Sequence, residues 1–341
     1  MENKKTIKYA KAVSELRQDV VTGDWVIIAT GRAKRPEEFA EEEKETIKED
    51  SEKKCFFCFP EMTGQEEDVL IYQDEEGSWS LRVFPNKYPA VSRTREVKHM
   101  EEGPYFAMDG VGYHEIIVTR DHKRQIALME KEAVAEVIDA YQERYIDLMN
   151  KKSVKYVDIF HNHGSKAGAS IPHPHSQLMA IPVISPYVQS ELDGAEIYHR
   201  SNQHCVYCSM VEWEREKGKR IIFENDNFIA LCPFASRVAF EVWVMPKKHS
   251  PYFERISSEN KVQLAEALQK AVGKIYGALN NPDYNFYLHT APCDGKDYPH
   301  FHWHIEILPR TSIWAGFELS TGIEVSTIQP EVAAEYLRKQ E

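Results

Sequence analysis

Two hydrophobic periods alternate along this chain, and they follow one another in the same order in each half. Residues 113–118 are apolar in the manner of a strand, and residues 134–148 then place apolar side chains three and four positions apart, as an amphipathic helix does. A second apolar run follows at residues 156–160. The same order recurs later in the chain, at residues 240–245, 262–279 and 284–288. This repetition predicts an α+β fold of tandem duplicated units, each an antiparallel sheet crossed by one long helix.

The duplication divides the chain into two domains. We place the first domain at residues 1–190 and the second at residues 191–341, and we expect residues 183–203 to connect the two units. Ser257 or Ser258 is a suitable N-cap for the second long helix. Two such units could form one continuous sheet.

Composition and charge narrow the functional classes. Hydrophobic residues make up 42% of the chain and charged residues 28%, as in ordinary globular proteins. A formal net charge of −12 disfavours a broad nucleic-acid surface, which needs clustered cationic side chains. No apolar run approaches the roughly 20 residues that a membrane-spanning helix needs, and no apolar segment follows the lysine-rich start. We therefore expect a cytoplasmic protein that binds neither nucleic acid nor membranes.

Four of the six cysteines form two Cys-x-x-Cys pairs, and the same histidine pattern follows each pair. In each half a histidine stands at the end of a predicted strand, and a His-x-His sequence comes after the long helix. Thiolate and imidazole are ligands that zinc prefers, four to a structural ion, so the pattern predicts two closed zinc sites. The expected ligands are Cys55, Cys58, His122 and His173 at the first site, and Cys205, Cys208, His249 and His302 at the second.

The second half contains a surplus of possible ligands, so a rival metal site stays open there. Alternation along a strand would place His300, His302 and His304 on one face. A site of histidine and carboxylate ligands could then hold zinc or iron and leave the cysteine pair as free thiols. The ligands of this rival site are Glu191, His289, His302 and His304.

Residues 160–177 combine a candidate nucleophile with groups suited to phosphate. Gly164 and Gly168 allow the backbone to approach an anion closely. Alternation along a strand would place His173 and His175 on one face, so that a metal bound by the first would hold the second in position. Neutral imidazole is a good nucleophile, and we expect His175 to form a phosphoramidate in a two-step transfer. Neutral hydrogen-bond donors surround it in the sequence: Asn162, Ser165, Ser170 and Gln177.

This segment resembles the galactose-1-phosphate uridylyltransferase family of the histidine-triad superfamily. The resemblance lies in Asn162, Gly164, Gly168, Ser170 and residues 173–177. It extends over nearly the whole chain, through residues 32–36, 83–90, 289–292, 316–318 and 333–337. It implies histidine-triad-like units, a homodimer, and transfer of a uridylyl group from UDP-glucose to galactose 1-phosphate through a uridylyl-His175 intermediate.

The resemblance also assigns contacts with a nucleotide sugar and a sugar phosphate. Gln177 would act beside His175 by contacting the transferred phosphoryl oxygens. Two arginines would lie near the phosphates, two asparagines around the nucleoside, and a serine at a phosphate. The substrate-binding residues implied in this way are Arg32, Arg35, Asn86, Asn162, Gly168, Ser170, Gln177 and Glu318.

Two parts of the chain depart from the family pattern. The second His-x-His, His302-Trp-His304, lacks the glycine-serine loop before it and the Ser-Gln after it, so we expect one active half. In the tail, Ser312 and Glu324 stand about where the best-known uridylyltransferases have a lysine and a glutamine. This tail is similar to the ADP-glucose phosphorylase branch, so adenylyl transfer to inorganic phosphate is an alternative. A further alternative, of another class, is a zinc-containing nucleotide-binding module without turnover.

Overall fold

The computed structural model of the chain describes residues 14–30, 35–40, 55–59, 64–93 and 97–340, which include fifteen strands and six α-helices. The strands are β1 (Glu15–Gln18), β2 (Trp25–Ile28), β3 (Leu70–Gln73), β4 (Trp79–Pro85), β5 (His99–Glu102), β6 (Tyr105–Met108), β7 (Tyr113–Thr119), β8 (Tyr156–His163), β9 (His175–Ile181), β10 (Ile221–Glu224), β11 (Phe228–Leu231), β12 (Val242–Pro246), β13 (Tyr284–His289), β14 (His304–Pro309) and β15 (Glu324–Ser326). The helices are α1 (Lys131–Met149), α2 (Pro186–Asn202), α3 (Val206–Lys217), α4 (Ser258–Leu279), α5 (Gly316–Thr321) and α6 (Pro330–Arg338).

Ten strands form one antiparallel sheet, and their order makes the duplication visible. From edge to edge the order is β10-β11-β12-β14-β13-β8-β9-β7-β4-β3. Each half uses its strands in the same sequence, and the two halves run outward from a central pair, β13 and β8. That pair extends from Tyr284 opposite His163 to Leu288 opposite Ile159. The predictions of a duplicated α+β fold and of one continuous sheet are confirmed.

The two long helices cover one face of this sheet. α1 connects β7 to β8, and α4 occupies the corresponding place between β12 and β13. Ile138 of α1 and Leu268 of α4 are fully buried in a single hydrophobic cluster that runs across both units, because the apolar side of each helix faces the sheet. The hydroxyl of Ser257 accepts a hydrogen bond from the Asn260 N–H, which confirms it as the N-cap of α4. Among the described residues, no helix combines the length and the hydrophobicity that a membrane-spanning segment requires.

Two shorter helices cover the opposite face of the second unit. Residues 183–203, predicted to connect the units, fold mostly into α2, which begins at Pro186 after an N-cap serine, Ser185. α2 and α3 pack there against side chains such as Trp243. A separate sheet joins β1, β2 and β15, in which β2 pairs in parallel with β15 near the other end of the chain. The expected domain boundary at residue 190 falls inside α2 and stays a prediction.

The strands that carry the His-x-His sequences begin later than expected. β9 begins at His175 and β14 begins at His304, so the prediction that His173 or His302 lies within the same strand was wrong. His173 lies between two prolines, which have no N–H to donate to a neighbouring strand. In the second unit the Trp303 N–H donates to the Ser250 carbonyl oxygen instead, at 2.9 Å. In each unit, therefore, the first histidine lies in an irregular segment and the second one opens a strand.

Candidate functional site

His175 lies on the sheet face opposite α1. The next residue, Ser176, contacts the Tyr141 hydroxyl of α1, and strand alternation turns His175 the other way. His175 Nδ1 lies 2.9 Å from the carbonyl oxygen of His173. Because a carbonyl oxygen only accepts, Nδ1 carries the proton and Nε2 keeps its lone pair. Burial lowers the pKa of His175, which favours the neutral, nucleophilic ring.

Gln177 lies on the same face as His175, two residues further along β9. Its Oε1 is 2.8 Å from Nε2 of His114, which belongs to the neighbouring strand β7. Asn86 follows β4, and its N–H donates to the main-chain carbonyl oxygen of His114 at 2.8 Å. Two residues expected to contact substrate, Gln177 and Asn86, are thus brought together around one histidine that sequence reasoning did not select.

The glycine-serine loop is anchored on the second unit. Gly164 has φ +83°, and a Cβ at this position would overlap the Asp283 carboxylate. That carboxylate accepts a hydrogen bond from the Lys166 N–H at 2.6 Å. Asn285 donates through Nδ2 to Asn162 Oδ1 at 2.7 Å, and to the carbonyl oxygen of Ala167 at 2.8 Å. The loop that precedes the candidate nucleophile therefore depends on contacts that cross the boundary between the halves.

A cleft of about 530 Å³ opens on this face of the sheet. Phe160 and Asn162 of β8 line it together with Asn285, Tyr287 and the exposed Arg310. His161 of β8 lies opposite Ser176 of β9. Because the strands are antiparallel, the next residue of β8, Asn162, lies beside His175. The cleft therefore extends across the sheet from β8, the strand that pairs with β9, to polar side chains of the second unit.

The first expected metal site is assembled. The Sγ atoms of Cys55 and Cys58 lie 3.5 and 3.4 Å from His173 Nδ1, and Cys58 Sγ lies 3.3 Å from His122 Nδ1. Tetrahedral zinc has bonds of about 2.0–2.3 Å, which places its ligands roughly 3.3–3.8 Å apart, so these distances fit the ion. His173 Nε2 lies 2.7 Å from the Thr119 carbonyl oxygen, which leaves the Nδ1 lone pair toward the sulfurs.

The second expected set is assembled in the same way. His302 Nδ1 lies 3.9 Å from Cys205 Sγ and 3.6 Å from Cys208 Sγ, and His249 Nδ1 lies 3.5 Å from Cys208 Sγ. Nε2 of His302 lies near the main-chain carbonyl oxygen of Pro246, and Nε2 of His249 lies near that of Pro299. A hydrogen bond with Cys208 lowers the pKa of the Cys205 thiol, which favours the thiolate that a metal requires. Both Cys2His2 clusters could hold a metal ion.

The rival carboxylate set forms a third cluster with a different membership. Glu191, His289 and His304 come together, but His302 belongs to the cysteine cluster and Glu306 stands in its place. We expected the cysteine set and the carboxylate set to be alternatives, because both would use His302. That expectation was wrong. The cluster is fully buried, and Glu306 also forms an ion pair with Arg237. Burial disfavours a charged imidazole, but hydrogen bonds to the two glutamates raise the pKa of His304 to about 10.

The remaining expected substrate contacts are scattered. Arg32 lies outside the described residues. Arg35 precedes a short 3-10 helix, Pro36–Phe39, which contacts α4 and α6 on the sheet face opposite His175. Ser170 is exposed in the loop, and Gly168 ends a 3-10 turn with φ +88°. Glu318 is half-buried, and its Oε2 accepts a hydrogen bond from the Ala315 N–H at 3.0 Å at the start of α5.

Sequence analysis missed several residues of the site. For some of them the sequence contains a pattern that could have predicted their position, and for others it does not. Glu306 follows His304 by two positions on the same strand, so alternation alone could have added it to the third cluster. Phe57 lies between the first two cysteines, and its ring is 4.9 Å from that of His175. His114 and Asp283 meet the site only through strand pairing and loop docking, and no local pattern marks them.

The amino-acid sequence matches known protein families in two consecutive domains, in agreement with the two units of the fold. A family model described as the N-terminal domain of galactose-1-phosphate uridyl transferase matches residues 4–184, and the model of the C-terminal domain matches residues 191–340. The protein is therefore an enzyme of the nucleotidyltransferase class. More specifically, the chain belongs to the galactose-1-phosphate uridylyltransferase family.

Individual relatives cover almost the full chain. An ADP-glucose phosphorylase of Arabidopsis thaliana is 33% identical over 330 residues, which are 95% of this chain and 92% of the relative. A galactose-1-phosphate uridylyltransferase of Thermotoga maritima is 28% identical over 338 residues, which are 96% and 98% of the two chains. A solved structure of the Arabidopsis thaliana ADP-glucose phosphorylase with bound ADP-glucose superposes with a TM-score of 0.81 at 31% identity, and it covers 96% of this chain and all of that one.

Proposed function

We propose that this protein transfers a nucleoside monophosphate unit from a nucleotide sugar to a second acceptor through a covalent intermediate on His175. The observation that carries the proposal is the hydrogen bond from His175 Nδ1 to the His173 carbonyl oxygen, because it leaves Nε2 as the atom free to attack. The lowered pKa of His175 keeps that nitrogen unprotonated. The hydrogen bond at Nδ1 and the lowered pKa both suit a nucleophile. A histidine that only fills space in the core would need neither of them.

The proposed reaction has two balanced steps. His175 Nε2 attacks the α-phosphorus of the nucleotide sugar, and the bond to the sugar phosphate breaks, so that a hexose 1-phosphate leaves. The acceptor phosphate then attacks the same phosphorus and restores the free imidazole. Charge on the non-bridging oxygens would be stabilised by the Gln177 amide.

The two Cys2His2 clusters would hold zinc in this proposal. Their ligands are Cys55, Cys58, His122 and His173, and Cys205, Cys208, His249 and His302. Zinc bound to four protein ligands has no position for substrate, so its contribution would be to fix the segments that carry the ligands. At the first cluster that segment includes His173, whose carbonyl oxygen orients the nucleophile. The buried third cluster could hold a further ion, either zinc or iron.

We propose ADP-glucose as the donor and inorganic phosphate as the acceptor. Two observations support this choice over the uridylyltransferase reaction first expected. The relative with 33% identity is an ADP-glucose phosphorylase, whereas the uridylyltransferase relative reaches 28%. The tail also places Ser312 and Glu324 where the uridylyltransferase pattern has a lysine and a glutamine for the sugar phosphate. Uridylyl transfer from UDP-glucose to galactose 1-phosphate is the second candidate, supported by a relative matched over nearly its full length.

A labelling experiment without acceptor tests the covalent step. The zinc-loaded protein is mixed with ADP-glucose or UDP-glucose labelled at the α-phosphorus, and the acid-labile label and the released glucose 1-phosphate are counted per chain. We expect stoichiometric label from ADP-glucose, mapped to His175 and absent from His175→Gly. Subsequent addition of inorganic phosphate should release the label as ADP.

The other outcomes separate the alternatives. Label from UDP-glucose that is discharged by galactose 1-phosphate supports the second candidate. Binding of a nucleotide sugar without any label or glucose 1-phosphate release supports the non-catalytic module and contradicts the covalent proposal. We further propose a cytoplasmic homodimer, as the family resemblance implies, and sedimentation of the purified protein tests its oligomeric state.

A further inference from the structure

His114 lies beside Gln177 but has no part in the function proposed so far. It is the second residue of β7, and its side chain lies on the sheet face that carries His175. Its Nε2 is 2.8 Å from Gln177 Oε1, which is a short hydrogen bond between two side chains that are largely enclosed. The direction of this hydrogen bond decides which end of the Gln177 amide is left for a substrate.

The main chain fixes that direction. The N–H of Ala90 points at His114 Nδ1 from 3.3 Å, and a main-chain N–H can only donate. Nδ1 is therefore the unprotonated nitrogen, and in the neutral ring Nε2 carries the proton. The Asn86 amide nitrogen, also a donor, lies 3.2 Å from Nε2 and 3.5 Å from Nδ1 and so contacts both nitrogens. The other two contacts agree with each other, because the Ala90 N–H lies at Nδ1 and the Gln177 oxygen, an acceptor, lies at Nε2.

It follows that His114 donates to Gln177. With Nε2–H as the donor, the partner atom must be the amide oxygen, and the Gln177 NH2 group then faces away from His114. A glutamine amide turned the other way would place its oxygen toward the phosphoryl group, where two acceptors repel. We propose that His114 is a positioning residue that holds the Gln177 amide with its NH2 group directed at a phosphoryl oxygen of the nucleotide. This inference rests on the proposed nucleotidyl transfer.

The surroundings keep His114 in the form that this arrangement requires. Burial lowers its pKa, so the ring is neutral near pH 7 and Nδ1 stays available to the Ala90 N–H. The main chain of His114 is also held in place, since its carbonyl oxygen accepts a hydrogen bond from the Asn86 N–H at 2.8 Å. The selected tautomer is thus a property of the folded protein before any substrate binds.

The activity test is a double-mutant cycle. We expect Gln177→Ala to slow single-turnover label formation on His175 by roughly 10²-fold or more, as loss of one donor to a charged oxygen does elsewhere. His114→Phe, which removes the donor but keeps a ring, should slow it roughly 10-fold or more, and the conservative His114→Gln should recover part of that loss. In the Gln177→Ala background, His114→Phe should cost no further rate.

Additive losses would show that His114 does not act through Gln177 and would overturn the proposal. Equal rates for His114→Phe and the unaltered protein would do the same. The midpoint of denaturant unfolding is measured for every variant, because a purely structural role would lower the midpoint and leave the cycle additive.

A second measurement is independent of turnover. The protein is labelled with 15N-histidine, and the His114 ring signals are assigned by their loss in His114→Phe. We expect the neutral Nε2–H tautomer at pH 7 without substrate. An Nδ1–H tautomer or an imidazolium would overturn the inference even in an active enzyme. A different result would be that even the unaltered protein forms no label on His175, although its His114 ring is the Nε2–H tautomer. The proposed function would then fail, and the inferred orientation of the Gln177 amide would stand.

Discussion

The imidazole of His175 is hydrogen-bonded through Nδ1 to the main-chain carbonyl oxygen of His173, whose own ring faces Cys55 and Cys58. The proposed nucleophile and a proposed ligand of the first metal cluster are thus separated by one residue and share a hydrogen bond. His304 and His302 repeat the relationship in the second unit, with Nδ1 of His304 at 3.1 Å from the His302 carbonyl oxygen. There, however, the second histidine contacts two glutamates, Glu191 and Glu306.

Replacing the nucleophile should remove chemistry without removing the fold. We expect His175→Gly to lower the rate of nucleotidyl transfer roughly 10⁴-fold or more, because no other group in this position can take the nucleotidyl unit. The unfolding midpoint should change far less than in Cys55→Ser, which breaks the first metal cluster. Initial rates and denaturant unfolding of both variants check this division. Equal loss of stability in the two variants would contradict it.

The two cysteine clusters should each bind one metal ion. Elemental analysis and anomalous scattering of the unaltered protein are expected to give zinc at both. Cys55→Ser and Cys205→Ser should each lose about one equivalent and become less stable by several kcal/mol, since the energy of structural zinc binding contributes to folding. A strong chelator should lower the melting temperature of the unaltered protein. Anomalous signal at Glu191, His289, His304 and Glu306 would add a third ion, and zinc-free cysteine clusters would contradict the prediction.

The loop of residues 164–168 should tolerate a methyl group at one glycine better than at another. Both Gly164 and Gly168 have positive φ, so alanine adds backbone strain at either position. The strain is about 1–2 kcal/mol at Gly168, which is in the left-handed region, and about 1–3 kcal/mol at Gly164, whose φ and ψ are accessible essentially to glycine alone. At Gly164 the new Cβ also overlaps the Asp283 carboxylate, whereas at Gly168 nothing lies within 4 Å. Gly164→Ala should therefore destabilise more than Gly168→Ala and displace the loop. Unfolding free energies of the two variants, measured side by side, decide the point.

A buried histidine beneath the site should make stability fall in weak acid. His161 is 2% exposed, and burial holds its pKa well below the usual value of 6.5. The unfolded chain therefore binds a proton that the folded protein rejects, so stability is lost as the pH falls below about 6.5, by up to about 1.4 kcal/mol per pH unit. His161→Phe should flatten this part of the profile. Phe286, whose ring stacks on His161, provides the control.

The control keeps the titrating group and alters only its packing. Phe286→Leu should lower the free energy of unfolding by a similar amount at every pH between 5 and 7. Denaturant unfolding of the three proteins over this range is the measurement. A His161→Phe profile as steep as that of the unaltered protein would assign the acid sensitivity to other groups.

Much of the fold was predictable because the two hydrophobic periods are local. Residues 134–148 and 262–279 show helical spacing, and the structure has α1 and α4 there. The cysteine pairs and their histidines also came together in the expected sets. The errors arose where local patterns meet tertiary contacts. Alternation predicted one strand through His302 and His304, but the Trp303 N–H pairs with Ser250 and the strand begins late.

The sequence by itself determined the kinds of element, the duplication, the ligand chemistry and the identity of the candidate nucleophile, since each follows from residue type and short-range spacing. Only the tertiary structure decided that His302 joins the cysteines while Glu306 joins Glu191, and that His114 meets Gln177. These pairings join residues far apart in the chain, and their distances depend on which strands lie side by side and in which register. That register depends on which strand faces are buried and on how the strands are connected, and the sequence around one residue does not reveal its partner on another strand.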